Sequence, residues 1–169
     1  MWRKLIAGVA LLAVMPFANA NTYLYTSALN GFQEVPSTPS QAVGVIQLTL
    51  DDTLLTANGA GVIFFLGGAP AAFHIHNAPY GSNGPVVLDI GTTGISGSTV
   101  NFTKTLSDAA SFASLKSLLD ARNGYFNVHT AGFPSGEIRG QIAPVPEPAV
   151  LAICGVGIAN LVLRRRRKF

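Results

Sequence analysis

The chain has 169 residues, a formal net charge of +3 and one cysteine. Its basic residues lie mostly at the two ends, and residues 21–143 hold four Lys or Arg against seven Asp or Glu, a net charge of −3. This central region therefore lacks the basic surface that nucleic-acid binding needs. It also lacks cysteine and methionine, which excludes disulfides and sulfur ligands there.

The first twenty residues resemble a secretory signal peptide. A basic start is followed by an apolar run over residues 5–14 and by the small residues Ala18 and Ala20. This pattern predicts cleavage after Ala20. An uncleaved membrane anchor is the alternative, but the apolar run is shorter than the roughly 20 residues that span a bilayer. We expect an exported domain that begins at residue 21.

Most of residues 21–143 have strand character. Short runs of β-branched and aromatic residues alternate with Gly, Ser, Pro and Asn turns, which is typical of an all-β sandwich or barrel with antiparallel strands. Asp51-Asp52 is predicted to form a turn, and Asn58-Gly59 to interrupt the strand around it. The predicted strands cover residues 22–29, 43–50, 53–66, 71–76, 85–90, 98–106, 125–130 and 136–142.

One segment, residues 107–124, has helical periodicity. Ser107 and Asp108 are candidate N-caps, and Gly124 is a candidate C-terminal stop. Apolar residues then repeat at helical spacing, namely Phe112, Leu115, Leu118 and Leu119. We expect one short helix, inserted between late strands, to cover an end of the β domain.

The C-terminal segment, residues 144–169, has three parts in a fixed order. Val145, Pro146, Glu147 and Pro148 precede an apolar stretch, which precedes an arginine cluster formed by Arg164, Arg165, Arg166 and Arg167. The apolar stretch, residues 149–163, would form a helix of roughly 22 Å, shorter than the hydrocarbon core of about 30 Å. The three parts resemble the bacterial PEP-CTERM sorting signal. That resemblance implies an exosortase-type protease as a partner, transient membrane contact through the helix, and delivery to the cell envelope or extracellular matrix. A plain tail anchor is the alternative, and in both cases the domain lies outside the cytoplasm.

Two sequence blocks in the central region resemble the CHRD domain, a family named after chordin. The first is His74-Ile75-His76-Asn77-Ala78-Pro79 with the following Gly/Asn-rich turn, and the second runs from Tyr125 to Thr130 and on through residues 133–141. A weaker block over residues 29–36 also fits, although Ser37 stands where the family often has a further proline. The resemblance spans residues 22–143 and implies an extracellular all-β domain. It implies no catalytic activity.

All three histidines of the chain lie on two predicted strands. Side chains at i and i+2 share one face of a strand, so His74 and His76 lie side by side, opposite Phe73 and Ile75. On the later strand His129 lies opposite Val128. If the two strands are neighbours, three imidazoles converge on the outer face of the sheet, where they are suitable ligands for zinc or copper. The alternative is a hydrogen-bonded histidine cluster that fixes the loop over residues 77–84.

The residues Phe73-His74-Ile75-His76 also resemble the copper-binding strand of copper/zinc superoxide dismutases. The fold is accordingly expected to be immunoglobulin-like or superoxide-dismutase-like. A fourth copper histidine, a complete zinc-ligand set and the structural disulfide are missing, so dismutase-like copper redox chemistry is the alternative function. The leading one is a non-enzymatic binding or structural module that holds one Cu(II) or Zn(II).

The remaining candidates are structural. Glu137 and Arg139 lie at i and i+2 on the last strand and are expected to form an ion pair, with Glu34 as a further participant. The expected partners of the domain are an extracellular polysaccharide or protein and no nucleic acid.

Overall fold

The computed structural model describes residues 21–146. The predicted signal peptide, including Ala18 and Ala20, lies outside these residues, as does the sorting segment from Glu147 to the arginine cluster at 164–167. The described part contains ten strands and one α-helix. The strands are β1 (Thr22–Asn30), β2 (Val43–Asp51), β3 (Thr56–Phe64), β4 (Pro70–Asn77), β5 (Val86–Asp89), β6 (Ile95–Ser96), β7 (Thr99–Thr105), β8 (Gly124–Thr130), β9 (Phe133–Gln141) and β10 (Ala143–Pro144), and the helix is α1 (Ala109–Asp120).

All ten strands belong to one antiparallel sheet. Their order is β5-β4-β8-β9-β1-β2-β3-β7-β6, and β10 adds to β1. The sheet curls so that strands from its two halves meet: the ring of Phe102 on β7 lies 5.7 Å from that of Phe73 on β4 and 6.2 Å from that of Phe126 on β8. The predicted all-β antiparallel architecture with one short helix is confirmed, in the form of a half-barrel around a single core.

The alternation predicted for the strands is present. On β2, Ile46 and Leu48 are fully buried, whereas Val43 and Val45 are exposed. Each fully buried Ile, Leu or Phe contributes about 1.5–3 kcal/mol through the loss of water-exposed apolar area.

Asn58-Gly59 does not interrupt β3, contrary to the prediction. Asn58 pairs with Thr49 on one side and Thr103 on the other, so the ladder continues through it. A side chain on Gly59 would collide with the ring of Phe102, because its Cβ would lie 2.1 Å from that ring. This glycine makes room for a core aromatic residue and does not mark a turn.

The helix α1 begins as predicted but ends earlier. The Asp108 carboxylate accepts a hydrogen bond from the Ser111 backbone N–H at 2.7 Å, a standard N-cap. The helix ends at Asp120, and Arg122 takes up the positive φ of 57° that follows. Gly124 is instead the first residue of β8, where it packs against Leu119. The helix buries Phe112, Leu115 and Leu119.

Within residues 21–146, α1 falls short of the length and apolarity that a bilayer-crossing helix requires.

Candidate metal centre

Two neighbouring strands carry the three histidines. β4 and β8 pair antiparallel, with His74 opposite Asn127 and His129 opposite Ala72. Phe73 and Ile75 point into the core and are fully buried. The histidines consequently lie on the outer face of the sheet, as the alternation predicted. The rings are partly covered: His76 is only 9 % exposed, and His74 and His129 are half-buried.

The three imidazoles converge. Their ring centroids lie 5.5 Å apart for His74 and His76, 5.2 Å for His74 and His129, and 6.1 Å for His76 and His129. One nitrogen of each ring lies within 4.8 Å of the other two. Around a metal with bonds of about 2.0–2.1 Å, two ligand nitrogens lie about 3.4 Å apart in a tetrahedral site and about 4.1 Å apart when opposite. Small side-chain rotations bring these nitrogens to such distances, so the group could hold a metal ion.

Backbone carbonyls determine which nitrogens of two rings are available. Nδ1 of His76 lies 2.9 Å from the Gly84 oxygen, and Nδ1 of His129 lies 2.9 Å from the Pro134 oxygen. A carbonyl oxygen only accepts, so each Nδ1 carries the proton and donates it. Each Nε2 of the neutral rings then keeps a free lone pair, and this is the usual way in which a second shell orients a metal-binding histidine.

The third ring is turned the other way. Nε2 of His74 lies 3.7 Å from an Asp89 carboxylate oxygen, beyond a direct hydrogen bond, and its Nδ1 faces inward. Nδ1 of His74, Nε2 of His76 and Nε2 of His129 are all buried without a hydrogen-bond partner. Buried polar atoms are nearly always paired, so three unpaired nitrogens in one place require an explanation.

Burial also keeps two of the rings neutral. It lowers the pKa of His74, with the neighbouring His129 acting in the same direction and Asp89 against it. Burial likewise lowers the pKa of His76, against the raising effect of the Gly84 carbonyl. Both imidazoles are therefore in the neutral, metal-binding form at pH 7.

The His76 ring, the Tyr125 ring and the Arg139 guanidinium form a stacked column. The Tyr125 ring stacks on that of His76 at 5.0 Å with an angle of 12°, and the Arg139 guanidinium lies 4.2 Å from the Tyr125 centroid on β8. The Tyr125 hydroxyl accepts a hydrogen bond from the Gly84 N–H at 3.2 Å. Since the Gly84 carbonyl also accepts the hydrogen bond from His76 Nδ1, this column holds both the ring and the loop over it.

Arg139 pairs with Glu34 and not with Glu137. Its Nε and Nη2 donate to Glu34 Oε2 at 3.1 and 3.0 Å, and Nη1 donates to the Ser82 carbonyl at 2.9 Å. Burial raises the pKa of Glu34, and the Arg139 charge offsets part of that effect. The expected pair of Arg139 with Glu137 is therefore wrong, whereas the expected participation of Glu34 is confirmed, because a loop folded over the strand brings Glu34 closer to the guanidinium.

The carboxylate of Glu137 has a different role. It accepts hydrogen bonds from the Ser40 hydroxyl at 2.7 Å, the Gly67 N–H at 2.7 Å and the Thr130 hydroxyl at 2.6 Å. Its side chain is fully buried, and its neighbours are three donors with no positive charge.

Sequence reasoning identified the three histidines but none of the groups that hold them. Tyr125 and Asn127 share the predicted face of His129, which was a usable signal. The roles of Gly84 and Pro134 have no sequence signature, because any residue supplies a carbonyl.

The comparison with known families agrees with this architecture. The model of the CHRD domain matches residues 25–142. The chain belongs to the CHRD domain family. No curated protein and no solved structure matches. Both histidine strands lie inside the matched range, so the candidate metal centre is part of this CHRD domain.

Proposed function

We propose that this protein is an exported CHRD-domain binding or structural module that holds one Cu(II) or Zn(II) ion through His74, His76 and His129. The observation that carries the proposal is the convergence of three buried, unpaired imidazole nitrogens. Each unpaired buried group costs about 1–3 kcal/mol, and one metal ion would satisfy all three. Imidazole ligands without sulfur favour Cu(II) or Zn(II) over Cu(I).

A histidine cluster that only fixes loops is a weaker explanation. His76 and His129 each hold a backbone carbonyl through Nδ1, and this uses one nitrogen of each ring. The inward nitrogens contribute nothing to loop fixing. Placing three buried nitrogens together without hydrogen-bond partners is unfavourable, and a bound metal ion would remove this unfavourable free energy.

The proposed cellular location rests on the two terminal segments of the chain. A signal peptide and a PEP-CTERM-like segment support export to the cell envelope or extracellular matrix, with an exosortase-type protease and a transient membrane contact on the way. A matrix location supports an extracellular polysaccharide or protein as the partner of the domain. Its net charge of −3 over residues 21–143 argues against nucleic acid.

Metal titration of the purified full chain tests the central claim. We expect one equivalent of Cu(II) or Zn(II) to bind at pH 7.5, and His76→Ala or His129→Ala to weaken binding by at least about tenfold, since even indirect support of a ligand is worth that much. The control is Asp52→Asn, which alters a partly exposed carboxylate far from the histidines in sequence. Binding no tighter than millimolar, or binding that His76→Ala leaves unchanged, contradicts the proposal.

A dismutase-like copper redox enzyme is the second candidate, and the all-imidazole set favours it because such sites suit Cu(II). It predicts superoxide-dependent turnover by the copper-loaded protein. Copper binding without turnover supports the binding module instead.

A further inference from the structure

Two more buried oxygens lack partners on the same face of the sheet. Glu34 Oε1 and Asn127 Oδ1 are both buried without a hydrogen bond, although their residues are only 5 % and 2 % exposed. The other Glu34 oxygen, Oε2, is already bound by Arg139. Unpaired buried oxygens are costly, so a second set of polar atoms here needs a partner that the protein itself does not supply.

Both oxygens converge on the Cα atom of Gly136. A Cβ atom placed on Gly136 would lie 2.5 Å from Asn127 Oδ1 and 2.6 Å from Glu34 Oε1. The backbone of Gly136 has a φ of 131°, a conformation that disfavours any side chain. The lack of a side chain at Gly136 thus lets a carboxylate oxygen and an amide oxygen come close to each other.

These two oxygens lie next to the three histidines. Asn127 lies directly opposite His74 across the β4–β8 ladder, where paired side chains have Cβ atoms about 4.5–5.5 Å apart. It also shares its face of β8 with His129, two residues on. Glu34 is near enough for a positive charge on His129 to lower its pKa, although burial, which raises it, is the larger influence. The two unpaired oxygens and the inward nitrogens therefore belong to one polar region.

The chemistry of the Glu34 carboxylate and the Asn127 amide fits a water molecule. A buried water needs two to four polar partners, and here it would have a carboxylate acceptor, an amide that offers both an acceptor and donors, and the metal. A second metal ion is disfavoured, because Arg139 already offsets the charge of Glu34 at 3.0 Å. Three protein ligands also leave a position open in a four-coordinate site.

We propose that Glu34 and Asn127 bind a water molecule that is the fourth ligand of the metal held by His74, His76 and His129. This inference rests on the proposed metal site. Glu34 Oε1 accepts a proton of the water in a hydrogen bond, and the Asn127 amide fixes its position. Both act as positioning residues, and Gly136 allows their two oxygens to approach each other.

Pulsed EPR of the Cu(II)-loaded full chain in H₂O and D₂O tests this, because protons of a metal-bound water couple strongly to copper and exchange with solvent. Asn127→Leu keeps the side-chain size and removes the hydrogen bonds. Glu34→Gln keeps an acceptor for Arg139 and replaces the carboxylate beside the proposed water by a neutral amide. Asn101→Leu is the matched control, because Asn101 is exposed on β7. Copper affinity is measured in parallel by titration.

We expect an exchangeable-proton signal in the wild type and in Asn101→Leu, and at least about a twofold loss in Asn127→Leu and Glu34→Gln. Copper affinity should fall by only about two- to tenfold in these two variants, the effect of one hydrogen bond. If Asn127→Leu does not fold, Glu34→Gln decides the matter. Copper bound without exchangeable protons, or with protons that both variants leave unchanged, overturns this inference and leaves the metal site standing. Absence of copper binding overturns both.

Discussion

At the scale of single residues, the outer face of β4, β8 and β9 concentrates charges and polar groups that the core excludes. Arg139 is 3 % exposed and has a carboxylate, a carbonyl and an aromatic ring as neighbours. A buried guanidinium is tolerated only with such complete pairing, since an uncompensated buried charge is expensive. The loop that contains Glu34 and the loop that contains Ser82 are therefore tied to one side chain of the sheet.

Replacing Arg139 by Met should lower the free energy of unfolding by about 3–5 kcal/mol, because it leaves Glu34 buried and unpaired. Urea denaturation measures the effect. The control is Lys116→Met, which breaks the partly exposed pair of Lys116 with Asp120 on α1 and should cost less than about 1 kcal/mol. Equal losses in the two variants would contradict the assignment of Arg139 as a buried anchor.

The buried histidines make the metal-free protein sensitive to acid. The folded pKa values of His74 and His76 lie below the ordinary value near 6.5, so between the folded and unfolded values the unfolded chain binds more protons. Stability should fall as the pH falls through this window. Urea unfolding at pH 7.5 and 5.5 measures the loss.

The raised pKa of Glu34 acts in the opposite direction, since the folded state then binds the extra proton. A His74→Gln/His76→Gln double variant isolates the histidine contribution. It should lose less stability than the wild type between the two pH values. A wild-type protein with the same pH dependence as the double variant would contradict the burial argument.

At the scale of elements, Glu137 joins three segments that are far apart in sequence. Its carboxylate binds Ser40 in the loop before β2, Gly67 in the loop before β4 and Thr130 at the end of β8. A strand at the centre of the sheet thereby fastens the loops on one side of it.

Glu137→Ala should lower the free energy of unfolding by at least about 2 kcal/mol, because three buried donors lose their acceptor. Hydrogen exchange of the Gly67 amide should accelerate as well. The control is Asp51→Ala, which removes a carboxylate that caps the surface turn through Thr53 and Leu54. It should cost less than the Glu137 variant, and a reversed order would argue against a fastening role.

At the scale of the whole molecule, the curl of the sheet depends on aromatic contacts between its two halves. Phe73 touches Phe102 edge-on at 5.7 Å and lies 5.6 Å from Phe126. Phe102 belongs to the half of the sheet that is distant from β4 in strand order. Strand β4 thus has two roles: His74 and His76 lie on its outer face, and Phe73 on its inner face packs against the distant half of the sheet.

Phe73→Ala should cost about 3–5 kcal/mol, because the cavity lies where the two halves of the sheet meet. Phe65→Ala is the matched control, since Phe65 is 75 % exposed, and it should change stability by no more than about 0.5 kcal/mol. Thermal or urea unfolding compares the two. A small loss for Phe73→Ala would show that the halves do not depend on this contact.

The sequence by itself determined the features that depend on neighbours along the chain. Strand alternation places His74 and His76 on one face and Phe73 and Ile75 on the other, and the period of α1 places Phe112 and Leu115 inward. An N-cap such as Asp108 is equally local. These predictions succeed because the side-chain direction in a regular element follows from spacing alone.

Only the tertiary structure decided which distant groups meet. The pairing of β4 with β8 brought His129 next to the other two histidines. Folding also brought Arg139 into an ion pair with Glu34, which lies 105 residues away in sequence. It also brought a loop over part of the outer face, where the Gly84 carbonyl accepts from His76, which is only 9 % exposed. The physical reason is that strand register and loop packing are settled by burial summed over the whole sheet. At the candidate metal centre, the pairing of β4 with β8 brings three unpaired imidazole nitrogens within 4.8 Å of one another.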